Sequence, residues 1–251
     1  MERRQVLAIG IVVLAAAGIG YYLWQNSGSP TPPPSTANPA AAPRIEHPLA
    51  PTTGAPLPSL ADSDAAIAAA IAALVHAPTL PELFFPDKIA RRWVATIDNL
   101  PREQVAVEVR ALRAPGGALA TRGAEDSLTI APDNATRYAR YMALLAAIDP
   151  QDAAGVYRRY YPLLQQAYEE LGYPGQYFND RVVAVIDHLL ATPDVADPIR
   201  LVHPSVMYRY ADPKLESLSA GQKALLRIGR ENAAVVRAKL KALRAEIAVK
   251  P

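Results

Sequence analysis

From Val6 to Trp24 the chain runs 19 residues without a charge. At 1.5 Å rise per residue, a helix of that length spans roughly 28 Å, about the hydrocarbon thickness of a bilayer. Arg3 and Arg4 precede the run, and Tyr21, Tyr22 and Trp24 close it. Amphipathic rings favour the membrane–water interface, and arginines on one side only place that side in the cytoplasm. The pattern predicts a cytoplasmic tip over residues 1–5, one transmembrane helix over 6–24, and all later residues outside the cytoplasm. In a bacterium this is an inner-membrane protein whose C-terminal part is periplasmic. A cleaved signal peptide is the alternative. Ala15-Ala16-Ala17 offers a small-residue cleavage site, but cutting there leaves an apolar core of only about 11 residues. It also leaves the apolar stretch from Ile19 to Trp24 as a new N-terminus. An uncleaved anchor is the expectation, and without cysteine it is not a lipoprotein.

Residues 25–58 are dominated by Pro, Ala, Ser, Thr and Gly, and ten of the 24 prolines lie between Pro30 and Pro58. Proline fixes φ and removes an amide donor, so this stretch is predicted to be an extended, disordered linker. At about 3.1 Å per residue its reach is at most roughly 100 Å. It reads as a spacer, or alternatively as a ligand for a partner's proline-binding groove.

Residues 59–251 predict a compact, mainly α-helical domain with a minor β-hairpin element. Ile67, Ile71, Leu74 and Val75 share one helix face behind Asp62-Ser63-Asp64, whose carboxylates suit a helix start. Asp87 opens a second helix with Ile89, Trp93 and Ile97, which ends at Leu100-Pro101. Val105, Val107 and Val109 alternate, Pro115-Gly116-Gly117 marks a turn, and Ser127–Ile130 is β-like. This suggests a short helix or strand and then a small hairpin. Asp133 or Asn134 caps the next helix. Asp149-Pro150 starts a long one that reaches Leu171, with Gly172 as its left-handed terminator. Pro162 lies inside it and predicts a kink near Tyr160 and Tyr161. Asn179 begins another helix. Ile199–Val202 and Val206–Tyr210 are short and extended. Ser219 opens a helix, and Glu231–Ala248 forms the last, with Val236, Leu240, Leu243 and Ile247 as its apolar stripe.

Several chemistries are disfavoured. With no cysteine and four histidines there is no thiolate metal site and no cysteine nucleophile. A net charge of +2 does not suit a nucleic-acid binder. No glycine-rich phosphate loop, calcium loop or hydrolase signature occurs, so neither cofactor nor metal is expected. The charge is uneven: residues 59–222 carry a net −5 and residues 223–251 a net +6. The basic end reads as a solvated helix whose cations offset an acidic body, or as a surface for anionic lipid or polymer.

Ten of the 12 tyrosines fall between Tyr138 and Tyr210, often beside arginine. Tyr157, Arg158, Tyr160 and Tyr161 form one such group, and Tyr208 and Arg209 belong to another. A ring face and a planar guanidinium together suit sugars, carboxylates or phosphates. These residues, with Asp187 and His188, are the candidate ligand-binding set. The alternative is that the tyrosines pad helix–helix contacts while the arginines pair with Glu169, Glu170 or Asp152. Asp187-His188 is the best acid–base candidate, although neighbours on a helix point about 100° apart and do not pair.

Longer blocks carry a resemblance. They include Arg91-Arg92-Trp93-Val94-Ala95-Thr96-Ile97-Asp98-Asn99-Leu100, and Leu171-Gly172-Tyr173-Pro174 with Tyr177-Phe178-Asn179-Asp180. Asp187-His188-Leu189-Leu190-Ala191-Thr192-Pro193 and the run from Pro204 to Pro213, followed by Ser219-Ala220-Gly221-Gln222-Lys223 and Gly229-Arg230-Glu231-Asn232, are further blocks. Together, over about Leu57 to Ile247, they resemble the bacterial domain-of-unknown-function family 3014. The resemblance implies a single-pass protein with a proline-rich linker and one such domain. It implies no activity and no catalytic residue.

The expectation is therefore a membrane-tethered binding or scaffolding module of the bacterial envelope. Its partners are the lipid bilayer, through the N-terminal helix, and an envelope protein or anionic glycan. An envelope hydrolase or transferase using Asp98, Asp180, Asp187 or His188 is the alternative, and it requires two of these to converge in a pocket.

Overall fold

The computed structural model describes residues 44–248, apart from 53, 76–79, 125–126 and 205–206. The expected membrane anchor, with Arg3, Arg4, Tyr21, Tyr22 and Trp24, lies outside the described residues. Among the described residues no helix is long and apolar enough to cross a membrane.

The domain is mainly helical with two small hairpins. Helix α1 (Asp64–Val75) buries Ile67, Ile71 and Val75, the face its spacing predicts. A short turn, α2 (Leu80–Leu83), leads to α3 (Ile89–Asn99), which buries Ile89, Trp93 and Ile97. The cap of α3 is not Asp87 as expected. Lys88 sits at φ 51°, and the Asp64 carboxylate reaches across from α1 to accept the amides of Lys88 (2.7 Å) and Ile89 (2.8 Å). Asp87 instead pairs with Arg92 at 2.8 Å, and that hydrogen bond holds its carboxyl below the usual range.

Residues Val107–Val109 form a single 3-10 turn, not a strand. The predicted hairpin exists, with its turn displaced: β1 (Thr121–Arg122) pairs with β2 (Thr129–Ile130) around Gly123 at φ 86°. Pro115-Gly116-Gly117 makes no hairpin, and the Arg137 side chain binds the Gly116 and Gly117 carbonyls. A second hairpin joins β3 (Leu201–Val202) to β4 (Arg209–Tyr210). The two hairpins meet through Leu201 N–H to Leu128 O (2.8 Å) and enclose a small cluster that includes Leu128, Ile199, Leu201, Tyr210 and Leu226.

The main core lies among the helices. A 3-10 segment over Pro132–Tyr138 precedes α4 (Ala139–Ala147). Asn134 does not cap it. Its side chain is buried and brackets the Ala120 amide and the Arg227 carbonyl. Helix α5 (Pro150–Glu170) starts at the Asp149 cap and ends with Gly172 at φ 116°, and it runs unbroken through Pro162. Helix α6 (Phe178–Leu190) buries Val182, Val183, Ile186 and Leu189. After a short turn α7 (Pro213–Glu216) comes α8 (Ala220–Arg227), opened by a capping box between Ser219 and Gln222. The last helix, α9 (Arg230–Ile247), buries Val236, Leu240, Leu243 and Ile247 and packs on α5 and α6.

The composition assigns residues 44–58 to a disordered linker, and here the structure differs. This segment lies along α5 and α6, and Leu49 and Leu57 pack against the main core. Glu46, His47 and Leu49 donate their amides to side chains of the domain. Two isolated leucines and a set of backbone hydrogen bonds order a stretch that has too little apolar surface to fold alone.

Candidate functional site

The densest polar arrangement is a seam between α5, α6 and α9. Tyr157 is buried and donates its hydroxyl to Asn179 Oδ1 at 3.0 Å. Tyr161, one turn on, accepts the Asn179 amide (3.1 Å) and donates to Gln165 Oε1 (2.9 Å). The Asn179 side-chain amide donates to the Ile247 carbonyl (2.9 Å) at the end of α9 and to the His47 carbonyl (2.8 Å). One asparagine thus ties three helices and the 44–58 segment together, with both its amide protons and its carbonyl oxygen engaged. The rings of Tyr157, Tyr161 and Tyr177 follow one another at centroid distances of 5.4 and 5.2 Å. Burial pushes the Tyr157 and Tyr161 phenols well above their ordinary range, so they stay neutral hydrogen-bonding posts.

The candidate set does not form one site. Tyr160 is half-buried and donates to the Ala66 carbonyl (3.2 Å), tying α5 to α1. Arg158 donates to the Glu246 carbonyl (3.0 Å) and Arg159 to the Ala55 carbonyl. Neither makes an ion pair with Glu169, Glu170 or Asp152; it is Arg91 that pairs with Glu170, at 2.9 Å. Tyr208 stacks on His203 at 4.5 Å beside the small cluster, and Arg209 is exposed on β4.

Asp187 and His188 point apart, as their spacing requires. Asp187 holds Arg244 bidentately at 2.5 and 2.9 Å. His188 Nε2 lies 2.8 Å from Ser219 Oγ. The same oxygen also accepts the Gln222 amide at 3.2 Å. Burial, and then the Arg181 charge, lower the His188 pKa. The pair clasps α6 to α8, and among the described contacts no carboxylate orients the ring as nucleophilic catalysis requires.

A stability prediction follows. The folded state binds the His188 proton less readily than the unfolded chain, so its contribution is fully present above about pH 6.5. It is lost as pH falls through that value. The Tm of wild type should therefore fall more steeply from pH 7 to 5 than that of a His188→Gln variant. Parallel slopes in calorimetry at the two pH values reject this assignment.

Asp98 and Asp180 are also engaged. Asp98 is buried between Arg181, Arg102 and Tyr173. Asp180 accepts the amides of Glu46 and His47. Each of the four acid–base candidates has its own direct hydrogen-bond partners, while the Arg181 charge acts on both Asp98 and His188.

The basic end of the chain is largely committed as well. Arg230 pairs with Asp194, Lys223 with Glu216 and Arg244 with Asp187, while Arg237 and Lys239 bind helix-end carbonyls. Arg227 is buried against the Tyr210 ring, 5.3 Å from its centroid.

Two open grooves lie elsewhere. One of about 550 Å³ is lined by Phe85, Arg110, Arg113 and Pro115–Gly117. Both Arg92 (4.8 Å) and Arg113 (4.6 Å) lie over the ring of Phe85, one of its lining residues. The other, of about 340 Å³, is lined by Lys88, Arg91, Glu108 and Glu170 among others. Neither contains a residue of the candidate set. Among the described residues no group of histidines and carboxylates has metal-site geometry.

Asn179, Tyr177 and Ser219 are the working residues that sequence reasoning missed. In the sequence Asn179 and Ser219 are marked only as helix starts, and Tyr177 only by the block Tyr177-Phe178-Asn179-Asp180.

Compared with known families, the chain matches the family model described as Protein of unknown function (DUF3014) over residues 89–244, from the start of α3 to the last turns of α9. No curated protein and no solved structure matches it.

Proposed function

We propose that this chain, which belongs to the DUF3014 family of proteins of unknown function, is a membrane-tethered binding or scaffolding module of the bacterial envelope. Its helical domain would sit outside the cytoplasmic face of the inner membrane, on an N-terminal anchor. The uncharged run from Val6 to Trp24, with its arginines before and aromatics after, supports the anchor. The observation that carries the binding role is the separation of Asp98, Asp180, Asp187 and His188. Each is absorbed in holding helices or chain segments together. Among the described contacts no hydrogen bond joins any two of these four side chains, which supports this reading over a hydrolase or transferase. The groove beside Phe85 and Arg113 offers a different capacity. The exposed Arg113 side chain beside the Phe85 ring suits a carboxylated glycan or an acidic protein surface.

Full-length protein in detergent should co-sediment with peptidoglycan or enrich an envelope protein in pull-downs, and Arg113→Glu should weaken that association. A well-folded protein that enriches neither rejects the reading.

A further inference from the structure

Residues 44–58 are held by side chains that read a peptide backbone. The Asp180 carboxylate takes two successive amides, those of Glu46 (3.1 Å) and His47 (2.7 Å). Asn179 donates to the His47 carbonyl at 2.8 Å. The Tyr177 hydroxyl accepts the Leu49 amide at 2.9 Å. Further along, Arg159 donates to the Ala55 carbonyl, and Thr52 donates its hydroxyl to the Arg158 carbonyl at 3.4 Å. That last acceptor is available for a reason visible in the sequence. Pro162 has no N–H, so the carbonyl four residues before it has no helical donor. Leu49 and Leu57 add apolar anchors against the core.

This arrangement also sets a register. The amides it uses belong to Glu46, His47 and Leu49, and Pro48 stands where none is asked for. A slip of one residue in either direction puts Pro48 in the place of His47 or Leu49 and removes a hydrogen bond. The seat therefore asks for two successive amides, admits proline at the next position, and takes the amide of an aliphatic residue after it. Half of these bonds are solvent-exposed, the others are only part-buried, and few apolar groups are buried, which puts the segment at the low-stability end of the structure.

We propose that the Tyr177–Asp180 end of α6, with the adjoining face of α5, is a binding seat for extended proline-interrupted peptides. Residues 44–57 of the chain are its resident ligand, and a free peptide of the same pattern displaces them. The inference goes beyond the tethered-module reading and does not depend on the membrane anchor or on any glycan, so either can fail without the other.

A fluorescein-labelled peptide of residues 44–57, titrated into full-length protein in detergent micelles, tests it by anisotropy. A strap-release variant, Leu49→Asp with Leu57→Asp, should bind the peptide about 10-fold or more tightly than wild type. Apparent affinity scales with the fraction of empty seats, and a segment docked nine times in ten leaves about one in ten. Adding Asp180→Ala, or using a peptide with His47→Pro, should abolish binding. Equal binding by wild type and a folded release variant, or binding that survives Asp180→Ala, overturns the proposal. Should the release variant not fold, amide hydrogen exchange of wild type decides. Excess unlabelled peptide should speed exchange at Glu46, His47 and Leu49 while leaving mid-α5 amides unchanged, and no change at those three amides also overturns it.

Discussion

Replacing Asp98 with alanine is expected to lower the unfolding free energy by about 2–4 kcal/mol, one of the two largest effects anticipated for a single substitution in this domain. Asp98 is the penultimate residue of α3, and its side chain is only 2% exposed. A carboxylate at that depth is tolerated only when both of its oxygens are well hydrogen-bonded. Oδ1 accepts from Arg181 Nε at 2.8 Å. Oδ2 accepts from Arg102 at 2.8 Å and from the Tyr173 hydroxyl at 3.1 Å. Arg181 also donates to the Asp98 carbonyl at 2.7 Å, closing the end of α3 onto α6. Tyr173 stacks on Tyr168 at 4.6 Å, which fixes the loop between α5 and α6. Alanine removes the centre of this network. The full cost of an orphaned buried charge does not apply, because Arg181 and Arg102 remain 30% and 45% exposed and can turn to water. What is lost is a set of charge-assisted hydrogen bonds, each worth about 1.5–3 kcal/mol and partly replaced by solvent. Urea titration followed by circular dichroism measures this directly. Asp98→Asn should fall between wild type and alanine, since it keeps the shape and loses the charge. A midpoint for Asp98→Ala within error of wild type shows that the network contributes nothing to stability.

Much of the helical frame was legible in the sequence, for an identifiable reason. Val236, Leu240, Leu243 and Ile247 repeat at helical spacing and are all buried, because a long helix lying on one core has to present one face to it. Asp149-Pro150 and Gly172 likewise act through local backbone chemistry and stand where that chemistry puts them. What failed was set by distant partners. The Pro115-Gly116-Gly117 turn is a seat for Arg137, so the hairpin folds around Gly123 instead. Asp87 was a plausible cap in sequence, but Asp64 arrives from another helix with better geometry. The 44–58 segment looked disordered because composition registers apolar content and not the side chains of α5 and α6 that grip its backbone. The tyrosine–arginine clusters dispersed for a related reason. Their rings fill the seam between helices, and several of their guanidinium groups bind carbonyls at helix ends and turns.

Gly221 carries the other large expected effect, and alanine and valine at that position should both destabilise the domain. Gly221 lies in the first turn of α8, where the amides of Ala220 and Gly221 donate to the carbonyls of Arg102 (2.8 Å) and Leu100 (3.0 Å). The unwound end of α3 therefore satisfies the free amides of α8, which requires the two backbones to approach closely. A Cβ on Gly221 would come within 2.6 Å of Leu189 Cδ2, 3.1 Å of the Leu100 carbonyl and 3.3 Å of Leu100 Cβ. Leu189 and Leu100 are fully buried, so neither has free space to retreat into. The carbonyl cannot retreat without breaking the hydrogen bond it accepts. The direction of the alanine effect is diagnostic. Glycine to alanine within a helix ordinarily stabilises by about 0.5–1 kcal/mol. Here the overpacking cost, typically about 1–3 kcal/mol, opposes that gain and reverses the sign for alanine. Valine adds two methyl groups in the same crevice and should cost more than 3 kcal/mol, roughly the upper end of that range or beyond. Thermal melts of Gly221→Ala and Gly221→Val measure both. A higher Tm for the alanine variant would mean that Leu189 can change rotamer to admit a methyl group, and that the α3–α8 contact is not the close approach its hydrogen bonds indicate.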